Sequence, residues 1–338
     1  MPKIAFIMDG GLGDAIITAA FIRDFYIQCG PMQLDICTEY PHIFDKSIAG
    51  AAINAHSISA NPPDNDCDLI LYCMLIPSIV FCNKTRINNI ASPSLRQYVS
   101  EREEMQKKEP AWFSMQDQYM GAILAFGKLH ERNRCQLPYL TRTPKPAAMP
   151  MPSRDLPLFR IPGLQEGRPF ITVHRGAGSC PSSTKLWSRA GYDGLIDRLR
   201  QCSDMAVIQI GDHRDPPLNV DIDLRGKTSL PQLARLIRDA RLHLCSEGGT
   251  AHLRHALCRR PSVVFFGPTD PAFYGYEENL NLRSDVCHPC EWHTRDWQQS
   301  CARGFDACRS LEALTLEYVW QRIGASSTLQ EILSGRNS

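Results

Sequence analysis

The first 38 residues alternate between two kinds of pattern. "KIAFIMD" is a short apolar run of the kind that fills a buried strand, and "GGLGD" breaks it. "AIITAAFIRDFYIQ" then carries apolar residues at helical spacing, and "MQLDICTEY" returns to a strand. "CDLILYCM" and "INNIAS" extend the strand series. Strand, glycine turn, helix, strand predicts a parallel α/β sheet. From Ser94 to Arg134 the text is helical and charged, and Pro110 divides it into two predicted helices. A proline-dense stretch over 138–159 reads as a linker. Beyond it the alternation resumes in "PFITVHRGAGS", "SRAGYDGLIDRLRQ", "MAVIQIGD", "SLPQLARLIRDA", "LHLCSEGG", "TAHLRHALCR" and "SVVFFGPT", and terminal helices follow. Ser229 is placed to cap its helix. The pattern therefore predicts two α/β domains, over 1–150 and 151–338. A ligand cleft is expected between them, at strand C-termini.

Composition changes this picture little. The 338 residues are 43% hydrophobic and 22% charged, as in a soluble globular protein. A formal charge of +1 gives no bulk attraction for nucleic acid, so none is expected as a partner. No apolar run is long enough to cross a membrane, and Asp9 and Asp14 interrupt the apolar N-terminus, which is unlike a signal peptide. A cytoplasmic location follows as the expectation, with at most peripheral association at the inner face of the membrane. Fourteen cysteines are many for that compartment. Ten are scattered and read as small buried apolar groups. Cys287, Cys290, Cys301 and Cys308 are spaced C-x2-C-x10-C-x6-C and form a Cys-rich loop over 287–308. Such a set suits a closed structural zinc or iron site, with His288 or His293 as substitute ligands. Free thiols, or a disulfide, are the alternatives.

The remaining candidates sit at strand ends. Asp14 falls near a helix start, where the dipole favours a carboxylate. The small and hydroxyl residues of "HRGAGSCPSSTK" leave backbone N–H groups available to phosphate, with Ser179, Ser182, Ser183 and Thr184 as candidate hydroxyls. Asp212, and second to it Asp215, follow a strand and could accept bonds from a ribose diol or serve only as turn residues. In "EGGTAHL", Gly248 and Gly249 permit close approach of a pyrophosphate to the N-terminus of the next helix. Thr269 and Asp270, in "GPTDP", could close over the same ligand.

An ordered set of segments carries a resemblance: "GLGDAIITAAFIRDF", "ITVHRGAGS", "KLWS", "VIQIGD", "DLRGKTSLPQLARLIRDARL", "SEGGTAHLRHAL", "PSVVFFGPTDP" and "CHPCEW" with its two later cysteines. Together they resemble glycosyltransferase family 9, that of the ADP-heptose:lipopolysaccharide heptosyltransferases. Residues 35–150 match no such pattern. The resemblance implies the GT-B fold, two Rossmann-like domains with parallel sheets facing an inter-domain cleft, the first binding acceptor and the second nucleotide sugar. It implies an inverting glycosyltransferase that moves a heptose-like sugar from an ADP-sugar to a hydroxyl of a lipopolysaccharide-core or other glycan acceptor.

In that family's pattern Asp14 is the general base and Gly13 belongs to the substrate turn. Lys185 binds the donor diphosphate. Lys227, Thr228 and Leu230 lie near adenine and ribose. Glu247 stands where the family has Asp contacting sugar hydroxyls, and Thr250 and His252 complete its motif, His252 equally suiting a core role. A similar cysteine region in the family sometimes holds metal, whereas the transfer itself needs none. Arg96, Arg102, Lys107 and Lys108 are candidates for meeting an anionic lipid-linked acceptor. A protein hydroxyl as acceptor, a non-catalytic nucleotide-sugar binder and an epimerase are the competing readings.

Overall fold

The computed structural model describes residues 1–44, 50–59, 63, 66–113, 125, 127–129, 131–146, 156–176 and 183–335. The chain forms two compact units, Met1–Pro152 and Ser153–Ser338.

In the first unit the strands are β1 (Lys3–Met8), β2 (Gln33–Thr38), β3 (Ala52–His56), β4 (Leu69–Tyr72) and β5 (Ser78–Cys82). Their order is β3-β2-β1-β4-β5, parallel except for β4 with β5. Helix α1 (Leu12–Cys29) follows β1 and buries Ala15, Ile16, Phe21, Ile22 and Phe25. Phe25 meets Phe6 edge-on at 5.5 Å and Tyr98 at 4.8 Å, which ties α1 to the sheet and to α3 (Pro93–Lys108). Ser92 caps α3 by accepting the Leu95 N–H, with Pro93 opening the helix.

Three expectations change here. "INNIAS" is not a strand; it belongs to α2 (Lys84–Ile90), which Asn83 starts by accepting the Arg86 N–H. Strand β5, antiparallel and at the sheet edge, was not expected, because the turn that reverses the chain after β4 carries no glycine. The first charged helix ends at Lys108, two residues before Pro110, and most of the second expected helix lies outside the described residues.

The second unit contains β6 (Phe170–His174), α4 (Arg189–Cys202), β7 (Ala206–Gln209), β8 (Ile222–Asp223), α5 (Leu230–Asp239), β9 (Leu242–Ser246), α6 (Gly249–Cys258), β10 (Ser262–Phe265), α7 (Pro271–Tyr274) and β11 (Leu280–Leu282). Helices α8 (Arg309–Glu312), α9 (Leu316–Gly324) and α10 (Ser327–Leu333) close it. Its sheet is wholly parallel in the order β11-β10-β9-β6-β7-β8. Counted within the unit this is 3-2-1-4-5-6 read from the other edge, the dinucleotide-binding order. Ser229 caps α5 as expected, in a reciprocal box with Gln232.

Trp187 anchors the core of this unit. It stacks on Phe265 at 4.4 Å, lies 5.3 Å from Tyr192 and donates its indole N–H to the Leu314 carbonyl. The ring is 1% exposed. Trp187→Ala is expected to cost about 3–5 kcal/mol, read from the denaturation midpoint at unchanged slope.

Candidate active site

In a doubly wound sheet the crevice for ligand opens where neighbouring strands send their connections to opposite faces. That point lies between β1 and β4 in the first unit and between β6 and β9 in the second. Each carries a cluster of charged side chains.

In the first unit, β1 runs into Asp9-Gly10-Gly11 and α1 begins at Leu12, so Gly13 and Asp14 occupy its first turn. The Asp14 carboxylate accepts the Gly11 N–H through Oδ2 at 3.1 Å. A Cβ at Gly10 would stand 2.9 Å from the Asp14 side chain, so this turn requires a glycine there. The other oxygen, Oδ1, accepts from Arg134 Nη2 at 2.7 Å. The same nitrogen donates to the Met74 carbonyl at 2.7 Å, just beyond β4. Arg134 is 2% exposed, and its Nη1 is buried without a hydrogen-bond partner. Asp14 keeps a third of its side chain in solvent. The carboxylate is thus aimed by an N–H and a guanidinium and remains reachable. Tyr40 stands beside it, its phenol raised first by burial and then by the Asp14 charge. The sequence did not point to Arg134, because "HERNR" reads as a solvated helical face.

In the second unit, three predicted residues from separate segments meet. Lys185 Nζ donates to Glu247 Oε2 at 2.7 Å, and the Thr269 hydroxyl donates to the same oxygen at 3.0 Å. Burial pushes the Glu247 carboxyl up. The charge and hydrogen bond of Lys185, with His252 and Thr269, outweigh burial and hold it below its ordinary value. Glu247 follows β9 directly, and Gly248 (φ 159°) turns the chain into α6. Among the described residues no side chain caps α6, and a helix N-terminus of this kind favours negative charge. Thr250, in the first turn, shares a hydrogen bond with His174 Nδ1 at the end of β6 (3.1 Å). His252 is 6% exposed and shares a hydrogen bond with the Tyr276 hydroxyl at 2.5 Å, which suits the core role weighed for it. Glu247, Gly248, His252 and Tyr276 border one shallow depression.

Other expected residues have different partners. The Thr184 hydroxyl is buried and donates to the Trp297 and Gln298 carbonyls, so it fastens two loops and is not a free phosphate donor. Ser179 and Ser182 lie outside the described residues, as does the side chain of Ser183. Asp212 is on the surface, held down to about 2 by Arg214. Asp215 is buried and accepts the Asp212 N–H, which fixes the turn at Gly211 (φ 130°). Lys227 donates to the Asp223 carbonyl, and Thr228 is half-buried at the approach to α5. Asp270 caps α7 by accepting the Ala272 N–H. Arg102, one of the candidate acceptor-binding cations, is fully buried and donates to the Pro138 carbonyl; it is a core residue.

Cys287, Cys290, Cys301 and Cys308 are free thiols, so no disulfide joins them. They sense one another. The Cys290 thiol is pushed up to about 11 by burial and then by Cys308, Cys287 and Cys301. Their sulfurs are not gathered within 4.8 Å; among the described residues the group that meets that distance is Asp35, Cys37 and His56. The loop also braces the Lys185–Glu247 pair. The Cys290 N–H donates to the Pro268 carbonyl beside Thr269, and the Lys185 ammonium lies 5.2 Å from the centre of the Trp297 ring.

The class these features define is a doubly wound α/β protein with a buried cation–carboxylate pair at the switch point of each unit. Residues 151–303 match the family model described as Glycosyltransferase family 9 (heptosyltransferase), which marks the chain as a glycosyltransferase. The fold is similar to that of E. coli ADP-heptose lps heptosyltransferase II, at 15% identity over 99% of this chain and 100% of that one, with a TM-score of 0.52. It is similar to dodecameric iron-containing heptosyltransferase TibC in complex with ADP-D-beta-D-heptose, at 14% identity over 98% and 77%, TM-score 0.62. TibC is from enterotoxigenic E. coli. It is also similar to E. coli heptosyltransferase WaaC with ADP, at 13% over 95% and 99%, TM-score 0.51. These likenesses establish the GT-B fold. No curated protein matches the sequence. No described helix is long and apolar enough to cross a membrane.

The paired Glu247 contributes stability that is present above the ordinary carboxyl value and is lost as pH falls through its lower folded value. Glu247→Gln is expected to cost about 3 kcal/mol at neutral pH, because Lys185 loses its partner. The difference from wild type should shrink as unfolding is measured at pH values progressively below 4.5, the ordinary value for this carboxyl.

Proposed function

We propose that the protein is an inverting heptosyltransferase that takes an ADP-activated heptose and delivers it to a hydroxyl of a glycan acceptor, such as a lipopolysaccharide core. The convergence of Lys185, Glu247 and Thr269 beside the uncapped N-terminus of α6 carries this reading. It is the arrangement a sugar diphosphate needs, a cation and N–H donors for the phosphates and a carboxylate for sugar hydroxyls. The similar structures that hold ADP and ADP-heptose support the same donor.

In the proposed reaction the acceptor oxygen attacks the anomeric carbon as the bond from that carbon to the phosphate oxygen breaks. Asp14 takes the hydroxyl proton, and Arg134 and the Gly11 N–H hold its carboxylate in position. ADP departs with the bonding pair. Lys185 and the α6 amides stabilise the charge that develops on it. The first unit thus serves the acceptor and the second the donor. The four-cysteine loop, read as a metal site, stays outside the chemistry. Its donor set suits zinc or iron, and a metal there would hold in place the loop that braces Lys185 and Thr269.

Two measurements test this. ADP should raise the melting temperature more than UDP, GDP or CMP, and Lys185→Ala should remove that preference. Asp14→Asn should lower transfer from ADP-heptose to a glycan by about 10²–10⁴-fold while leaving the ADP shift unchanged. Equal shifts for all four nucleotides would refute the donor, and full activity of Asp14→Asn would refute the base.

A further inference from the structure

Away from both strand-end clusters, β2 and β3 bring three metal-ligating side chains together. The strands are parallel and in register, with Asp35 opposite Asn54 and Cys37 opposite His56. Residues two apart on a strand share a face, so Asp35 and Cys37 face the same way and His56 joins them from the neighbouring strand. His56 Nε2 lies 2.8 Å from Asp35 Oδ1 and 3.6 Å from Cys37 Sγ. Asn54 Nδ2 donates to Asp35 Oδ1 at 3.0 Å from outside the trio. All three ligand atoms lie within 4.8 Å of one another.

Protons alone serve this cluster poorly. A ring nitrogen carries one proton or one lone pair, yet Nε2 faces both a carboxylate and a sulfur. Asp35 is 2% exposed, and its second oxygen, Oδ2, is buried with no hydrogen-bond partner. His56 Nδ1 is likewise buried and unpartnered. An unsatisfied buried carboxylate oxygen is costly. A divalent cation removes the conflict at Nε2 by binding the imidazole lone pair, the thiolate and the carboxylate together. The spacing agrees. Tetrahedral zinc with bonds of about 2.0–2.1 Å to nitrogen and 2.3 Å to sulfur sets those atoms about 3.5 Å apart. The nitrogen–oxygen separation would open by about half an ångström from its hydrogen-bonded value.

We infer that Asp35, Cys37 and His56 form a binding site for a borderline divalent transition metal, zinc foremost, that fastens strand β3 to β2. One nitrogen, one sulfur and one oxygen select zinc, iron(II) or cobalt(II) over magnesium or calcium. The fourth position falls to the unpartnered Oδ2 or to water. The site is separate from the four-cysteine loop and independent of the proposed donor and acceptor.

Cobalt(II) tests this, because thiolate ligation gives a near-ultraviolet charge-transfer band and tetrahedral geometry an intense visible band. The full chain with Cys287, Cys290, Cys301 and Cys308 all replaced by Ser should bind one cobalt with a band of single-thiolate intensity. Adding Asp35→Asn or His56→Gln should weaken that binding at least tenfold, and Cys37→Ser should abolish the charge-transfer band. Should the four-serine chain fail to fold, metal content decides: the otherwise wild-type chain should lose one zinc per molecule on Asp35→Asn and on His56→Gln. Absence of a band in the folded four-serine chain, or unchanged metal content in both single variants, overturns the site.

Discussion

The second unit depends on one buried ion pair. Lys185 arrives from the loop after β6 and Glu247 from the end of β9, and neither charge could be buried alone. Their partnership, completed by the Thr269 hydroxyl, draws the ends of β6, β9 and β10 to a single point. Burial works against the pair, and the charge and hydrogen bond of Lys185 hold the Glu247 carboxyl below its ordinary value. The pair also sets how this site can work. A lysine engaged with a carboxylate is already oriented, and a diphosphate would compete for a charge held in position. On the proposed reading, Glu247 would turn from lysine partner to sugar ligand as the donor enters.

The Cys-rich loop gives the pair its rigidity. Thr184, one residue before the lysine, is anchored to the carbonyls of Trp297 and Gln298, and Pro268, one residue before the threonine, accepts from Cys290. A Cβ at Gly267 would stand 2.3 Å from the Thr184 carbonyl, so the β10 loop and the lysine loop pack backbone to backbone. The loop that the sequence marked for metal is therefore a brace for the site.

Much of this was legible in the sequence, for a physical reason. Strand ends followed by glycine and a polar residue have few solutions in a parallel sheet, so Asp14 and Thr269 could be placed near strand ends from local text, whereas Glu247 was singled out only through the family resemblance. A short-range signal also settled the Ser229 cap. What escaped depends on distant partners. Arg134 meets Asp14 across 120 residues, and an arginine in a charged run looks solvated until its partner is known. Arg102 misled in the same way: its side chain is buried, although its neighbours on α3 are charged. Thr184 resembled a phosphate hydroxyl because nothing in the text shows that two carbonyls from 113 and 114 residues away receive it. The Asp35, Cys37 and His56 trio was hidden too, since its members belong to strands whose pairing is a property of the sheet.

The two units solve one problem with opposite charges. At each switch point a buried cation holds a carboxylate, Arg134 with Asp14 in the first and Lys185 with Glu247 in the second. The exposures differ. Asp14 is a third exposed, whereas Glu247 is almost wholly enclosed. In the first unit the guanidinium is sealed and the carboxylate is left to solvent, as the proposed base would require. The planar guanidinium bridges Asp14 and the Met74 carbonyl, fixing the carboxylate against both β1 and β4. In the second unit the side chains of both partners are largely enclosed, and the open donors are the backbone amides of α6. On the proposed reading, that division suits an acceptor side that needs a reachable base and a donor side that needs a dry, preorganised seat for phosphate.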